Sequence, residues 1–258
     1  MTSRAEDRSH QLLQVLADGH FHSGEAIAKA LGVTRAAVWK KVHALEKLGL
    51  SVFRVPGRGY RLADPLQLLD AVVISAALPA KHRVRLKEIS VLPVVDSTNT
   101  WLSAHPGEPA VCLAEFQSAG RGRRGRGWVS PFGANLYLSL AWRFDEWPPG
   151  FTALGMVTAI ATVRALSSLG IAGVGIKWPN DLVAAGRKLG GVLIDIQGEP
   201  PGATRAVIGV GLNVRMPPAA AVDIDQPWMD LNTLSDSDPP QRNVLAAALI
   251  GSLCNALD

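Results

Sequence analysis

The chain has 258 residues, 48% of them hydrophobic and 19% charged, the composition of a globular protein with a sizeable core, which excludes disordered and fibrous classes. Its net charge of +4 is unevenly placed: ten of the 26 basic and five of the 22 acidic residues precede Ala63, leaving sixteen against seventeen in the rest. A surplus confined to the first quarter points to a polyanion partner for that part.

Residues 71–78 and 156–163 form apolar runs too short to span a bilayer, and the polar, acid-bearing N-terminus is unlike a signal peptide. Cys112 and Cys254 lie in apolar surroundings without metal-ligand spacing, so they read as reduced buried thiols. Together these features place the chain in the cytoplasm.

Residues 1–63 read as a winged helix-turn-helix. Leu12, Leu13, Val15 and Leu16 make one apolar face, with Gly19 at the C-cap. Ser23 caps a second helix that Gly32 ends, and Thr34 caps a third, in which Ala37, Val38, Val42, Leu45 and Leu48 recur at helical spacing. "LSVFRVPGRGYRL" then alternates apolar and polar residues about Pro56-Gly57, as two strands and a tip do. Thr34, Arg35, Trp39, Lys40 and Lys41, with His43, provide an exposed recognition-helix set, and Arg54, Arg58 and Arg61 give the wing backbone-contacting charge. The competing reading is a three-helix domain for protein contacts; agreement of helix, turn, wing and charge favours DNA.

Residues 64–80 read as a linker and helix, and 81–258 as a second domain mixing strands and helices, hence α+β with a mixed or antiparallel sheet. The strands fall in "VLPVV", "AVCLAEFQS", "NLYLSLAWRF", "GVGIK", "RKLGGVLIDI" and "RAVIGVGLNV", with a long helix over 152–169. "MPPAAAV" and "SDSDPPQ" read as loops, and residues 244–253 as an amphipathic helix.

Between two of these strands lies "FQSAGRGRRGRGWVSPFGANLYLSL", in which four arginines alternate with glycines. Gly120, Gly122 and Gly125 spell G-x-G-x-x-G, but a dinucleotide fingerprint needs a helix to follow, and Pro131 and a strand follow instead. A disordered RNA-binding tract is longer and repeated. What fits is a loop of close-approaching backbone and forked guanidinium groups that orders around a phosphate or carboxylate.

"VDSTNTWL", this loop, "KWPNDLVAAGRKLGGVLIDI" and "VIGVGLNV" together resemble the bacterial biotin protein ligases of the bifunctional ligase–repressor type, over nearly the whole chain and including the N-terminal winged helix. The resemblance implies that biotin and ATP form biotinyl-5′-adenylate with Mg²⁺, that biotin passes to a lysine of a biotin carboxyl-carrier protein domain, and that the adenylate-bound homodimer represses at operator DNA. It assigns the biotin head group to Ser97, Thr98, Asn99 and Gln117, the binding loop to Gly120, Arg121, Gly122 and Arg123, an apolar wall to Trp128 and a close backbone approach to Gly191. Lys188 and Arg123 carry catalysis, bridging carboxylate and phosphate. Nucleotide contacts fall to Arg123, Arg124, Arg126, Lys177, Asn180, Asn213 and Trp228, and metal contact to Asp181.

Plainer roles compete with several of these: helix capping for Ser97–Asn99, core packing for Trp128, surface placement for the two lysines and a turn for Asn180-Asp181. The family carries an SH3-like β domain at its C-terminus, which is expected to be absent from a sequence stopping at Asp258. On that ground full ligase activity is less expected than biotin binding. A biotin-sensing DNA-binding regulator without catalysis is the alternative; a lipoate or octanoyl ligase would lack the R-G-R-R-G-R loop.

Overall fold

Local capping chemistry sets the first helices. A computed structural model describes residues 11–105, 107–147, 150–198, 202–235 and 238–258. Residues 11–16 are helical (α1). The Ser23 hydroxyl accepts from the Ala26 N–H to start α2 (Gly24–Leu31), and Thr34 accepts from Ala37 to start α3 (Arg35–Lys47). Leu12, Leu13, Leu16, Ile27, Val38, Val42 and Leu45 are buried together with Leu62 of the wing. The wing is β1 (Val52–Val55) against β2 (Gly59–Leu62), antiparallel. Tyr60 exchanges both backbone hydrogen bonds with His22, each 2.9 Å, which fastens the wing to the helices. A Cβ at Gly59 would lie 2.0 Å from the His22 carbonyl oxygen, so only glycine permits that approach.

The compact units divide between Leu68 and Leu69, which departs from the expected boundaries at 63 and 80. The reason is packing: Leu69, Ile74 and Leu78 belong to the core of the second unit, and α4 (Ala71–Ala77) contacts the last helix there. After α5 (Ala80–Arg85) the chain forms β3 (Glu88–Leu92), α6 (Thr98–Ala104), β4 (Ala110–Ala114), β5 (Leu136–Phe144) and α7 (Leu154–Ser168). Then come β6 (Val174–Lys177), β7 (Asp181–Ala184), β8 (Arg187–Gln197), β9 (Thr204–Leu212), α8 (Leu231–Leu234) and α9 (Arg242–Leu257).

The strands make one seven-stranded sheet in the order β3-β4-β5-β9-β8-β7-β6. Only the β3–β4 pair is parallel, so the sheet is mixed, as expected. Strand periodicity sorts its two faces. Leu138, Leu140 and Trp142 of β5 and Ala206, Ile208 and Val210 of β9 enter the main core beneath α7 and α9. Their neighbours Ala141 and Val207 pack instead with Leu102 of α6, and Ser139, Gly209 and Gly211 share that second face.

Four stretches differ from expectation. Helix α9 is buried around most of its circumference, with Val244 exposed, because α4, α7 and β5 surround it; it is not amphipathic. The turn after Pro179 leads directly into β7, a strand too short to show a period. The segment expected as a loop at 216–222 is mostly 3₁₀-helical, over Pro218–Asp223; of the loop at 235–241, residues 236 and 237 lie outside the described residues. The helical stretch Phe151–Ser168 is longer than its apolar run suggests and reaches membrane-spanning length and hydropathy. It lies against α9 and β8, burying Leu154, Ala161, Ala165 and Leu166 in the core.

Candidate active site

The α6 face of the sheet is where small residues leave room. Gly191 of β8 pairs with Gly211 of β9, and Gly209 lies two residues further along β9 on the same face. A Cβ on Gly211 would come within 2.6 Å of the Trp128 indole, and one on Gly209 within 2.2 Å of Asn99 Oδ1. Glycines at alternate positions therefore seat an aromatic and an amide against bare backbone. We expect Gly211→Ala to displace the indole, costing about 1–3 kcal/mol of stability, read by denaturant unfolding, and weakening ligand binding in parallel.

Above this floor is a cavity of about 290 Å³. One end is polar and closely bonded. Gln117 Oε1 accepts from the Thr98 N–H (2.9 Å) and the Thr98 hydroxyl (3.2 Å), while its Nε2 donates to Ser130 Oγ (2.9 Å). Ser139 Oγ lies 2.7 Å from Thr98 Oγ1 and 2.6 Å from Asn99 Oδ1. Ser97 is the N-cap of α6 and lines the cavity, and its side chain makes no capping bond. The capping role that competed for Ser97 has passed to the amide of Gln117.

The other end is cationic. Lys188 Nζ is 2.9 Å from Asp181 Oδ1 and 5.6 Å from the centre of the Trp128 ring. Arg123 donates to Asn180 Oδ1 at 3.1 Å. Between the ends run Trp128 and Trp178, the latter 80% exposed at the β6–β7 hairpin. Trp128 Nε1 is buried without a hydrogen-bond partner.

The loop is laced by its own backbone: Gly122 N–H donates to Arg126 O (2.7 Å) and Trp128 N–H to Gly120 O (2.8 Å). Arg124 sits in the left-handed region at φ 57°, a cost carried by the tight turn over Arg123–Gly125. Arg121 pairs with Asp195 at 3.0 Å. The expectation of a loop that orders around a phosphate or carboxylate is thus modified, since Arg121 and Arg123 already have protein partners. A second groove of about 490 Å³ is lined by residues 119–127 of the loop with Leu193 and Asp195 of β8.

Of the expected site residues, Ser97, Thr98, Asn99, Gln117, Arg121, Gly122, Arg123, Arg124, Arg126, Trp128, Asn180, Asp181, Lys188 and Gly191 line the cavity. Gly120 lies beneath the loop, where a Cβ would meet Trp128 O at 2.4 Å. Lys177 is exposed and does not line the cavity. Nor do Asn213 and Trp228: Asn213 is buried, donating to Met229 O at 3.1 Å with its Oδ1 unpartnered, and Trp228 bridges backbone to Lys188. Among the described residues no three His, Cys, Asp or Glu gather to hold a metal, and Asp181, expected at a metal, is ion-paired with Lys188. Burial raises the thiol of Cys254 to about 11 and that of Cys112 higher still, so neither is a nucleophile.

Sequence reasoning missed Tyr137, Trp178, Leu193, Gly209 and Gly211 of the cavity lining, and Asp195, which bonds Asn99 and Arg121. The two β9 glycines had a signal, since G-V-G at period two inside a strand marks close backbone approach. Asp195 had none, its partners being 74 and 96 residues away.

In the first unit, Arg35, Trp39 and Lys40 are exposed on α3, with Trp39 stacked on His43 at 4.9 Å. Lys41 is half-buried, Thr34 spends its hydroxyl on the cap, and the Arg58 guanidinium lies 4.3 Å over Phe21. Arg54 is held by Glu46 (2.6 Å) and His43 (2.9 Å).

A mixed sheet with an arginine loop over a glycine floor, in a chain that also carries a winged helix, matches known protein ligases. The biotin/lipoate A/B protein ligase family model matches residues 91–213, and an HTH domain model matches 8–61. The bifunctional ligase/repressor BirA of Salmonella typhimurium is 44% identical over 250 residues, which cover 96% of this chain and 76% of that protein. BirA of Escherichia coli is 43% identical with the same coverage. The biotin protein ligase of Aquifex aeolicus in complex with biotin and ATP superposes with a TM-score of 0.55 at 26% identity, over 66% of this chain and 70% of that one. The chain belongs to the family of bifunctional biotin protein ligase–repressors.

Proposed function

We propose that the second unit joins biotin to ATP as biotinyl-5′-AMP and passes the biotinyl group to a lysine of a biotin carboxyl-carrier protein domain. The supporting observation is one cavity with a hydrogen-bonding end at Ser97, Thr98, Asn99 and Gln117 and a cationic end at Arg123 and Lys188. The polar end matches the donors and acceptors of a ureido ring. The cationic end offsets repulsion between a carboxylate and a phosphate brought together.

In the first step a carboxylate oxygen of biotin attacks the α-phosphorus of ATP, and the bond to the β-phosphate oxygen breaks as pyrophosphate leaves. In the second, the acceptor lysine attacks the acyl carbon and AMP leaves. No side chain forms a bond; Lys188 and Arg123 hold charge, and Trp128 and the loop exclude water from the mixed anhydride. Mg²⁺ accompanies the nucleotide, which needs few protein carboxylates. Asp181, which pairs with Lys188 at this end of the cavity, would be the carboxylate to hold that ion.

The first unit takes this state to operator DNA, with the adenylate-bound chain as a homodimer in the cytoplasm. Lys40→Ala is expected to weaken binding nearly uniformly across DNA sequences and to lower the salt dependence of log K by about one, measured by titration at several salt concentrations. A sequence-selective loss at constant slope would instead assign Lys40 to base reading.

The ligase reading is tested by incubating the chain with ATP, Mg²⁺, biotin and a carrier domain and following the mass of the carrier. A gain of one biotinyl group is expected. Biotin binding without any adenylate would leave the sensing-regulator reading in its place.

A further inference from the structure

Asp195 lies on β8 two residues beyond Leu193 and four beyond Gly191, so strand periodicity puts it on the face of the site. Its Oδ2 accepts from Asn99 Nδ2 at 3.0 Å and from Arg121 Nη1 at 3.0 Å, and its Oδ1 lies 3.4 Å from Arg121 Nη2. The carboxylate therefore joins two parts of the site remote in sequence. One is the first arginine of the glycine-arginine loop. The other is a buried amide whose Oδ1 reaches Ser139 and, through it, Thr98 and Gln117.

We propose that Asp195 is a positioning residue that latches the loop to the head-group end of the cavity. Three features support it. Arg121 is 48% exposed, and its guanidinium is tied to the sheet through Asp195. Asn99 can present its Oδ1 toward Ser139 only while something accepts from its Nδ2, and Asp195 fixes that orientation. Gly209 leaves space for the amide alone, since any side chain there would meet Asn99 Oδ1. One carboxylate thus sets loop closure and amide orientation together. A ligand that orders the amide strengthens the latch, and an open loop frees the amide.

This rests on the biotin-site reading for the identity of the ligand, not for the latch itself, and the experiment separates the two. The unliganded protein carries trypsin sites at Arg121, Arg123, Arg124 and Arg126. Asp195→Asn keeps an acceptor for Asn99 but loses the charge on Arg121, and is expected to speed cleavage in this loop about fivefold without ligand. Asp195→Ala removes both bonds. It is expected to raise the KM for biotin about tenfold, and that for ATP less than threefold, because the stranded Asn99 amide lies at the head-group end.

In the Asn variant the biotin KM should move less than in the Ala variant. Loop cleavage unchanged in both variants, or equal rises in the two KM values, would overturn the latch. Should biotin fail to protect the wild-type loop while Asp195→Asn still accelerates its cleavage, the latch stands and the ligand assignment fails.

Discussion

Lys188→Ala is expected to lower the rate of biotin-dependent ATP–pyrophosphate exchange by about 10²–10³-fold, the loss that follows removal of one preorganised charge from a transition state. Preorganisation is visible in the backbone. Lys188 N–H donates to Pro227 O and its carbonyl accepts from Met229 N–H, each at 2.9 Å, so the start of β8 is fixed on that side. The side chain is 18% exposed and its ammonium pairs with Asp181 at 2.9 Å. In the proposed reaction it would meet the carboxylate and phosphate with little reorganisation. Truncation also strands Asp181, whose carboxylate would then repel both anionic reactants. Lys188→Ala/Asp181→Asn should therefore be less impaired than Lys188→Ala alone, an inversion that simple loss of packing does not produce. Lys188→Arg keeps the charge but places a planar fork where a point charge sat, and should recover only part of the rate. Exchange within about threefold of wild type in Lys188→Ala would remove Lys188 from the chemistry.

What the sequence could show of this site followed the range of the interactions involved. Capping at Ser23 and Thr34 acts over three residues, and the wing register is fixed by the alternation of its own strands, so both were legible. The glycine-arginine loop was legible as a candidate anion site because flexible backbone and forked cations coincide within eight residues. The state of its charges was not. Asp195 neutralises Arg121 across 74 residues and Asn180 engages Arg123 across 57, and no local pattern marks such pairs. Helix α9 misled for a related reason: its apolar positions suggested one face, but contacts with α4, α7 and β5 cover the rest. The placement of Asn213 and Trp228 outside the cavity has the same origin, since the resemblance supplied their roles but not their distance from it.

The largest effect on stability is expected at Glu115, where replacement by Gln should cost about 3–5 kcal/mol in denaturant unfolding because it removes the Glu115 charge from a buried ion pair. Glu115 and Arg242 are 0% and 5% exposed and 2.7 Å apart. The other carboxylate oxygen accepts from the Leu69 N–H at 2.6 Å, and Arg242 also donates to Asn135 O at 3.2 Å. The pair thus ties the first residue of the second unit, the end of β4, the approach to β5 and the first turn of α9. An apolar replacement of the whole pair would escape the cost of desolvating two charges, so Glu115→Leu/Arg242→Met should lose much less than the sum of the single variants. The consequence reaches function because Gln117, two residues on, caps α6 and faces the cavity. Loosening Glu115 should raise the biotin KM before the unit unfolds. A loss below 1 kcal/mol for Glu115→Gln, or strict additivity in the double variant, would show that the network is not coupled and that α9 is held by apolar packing alone.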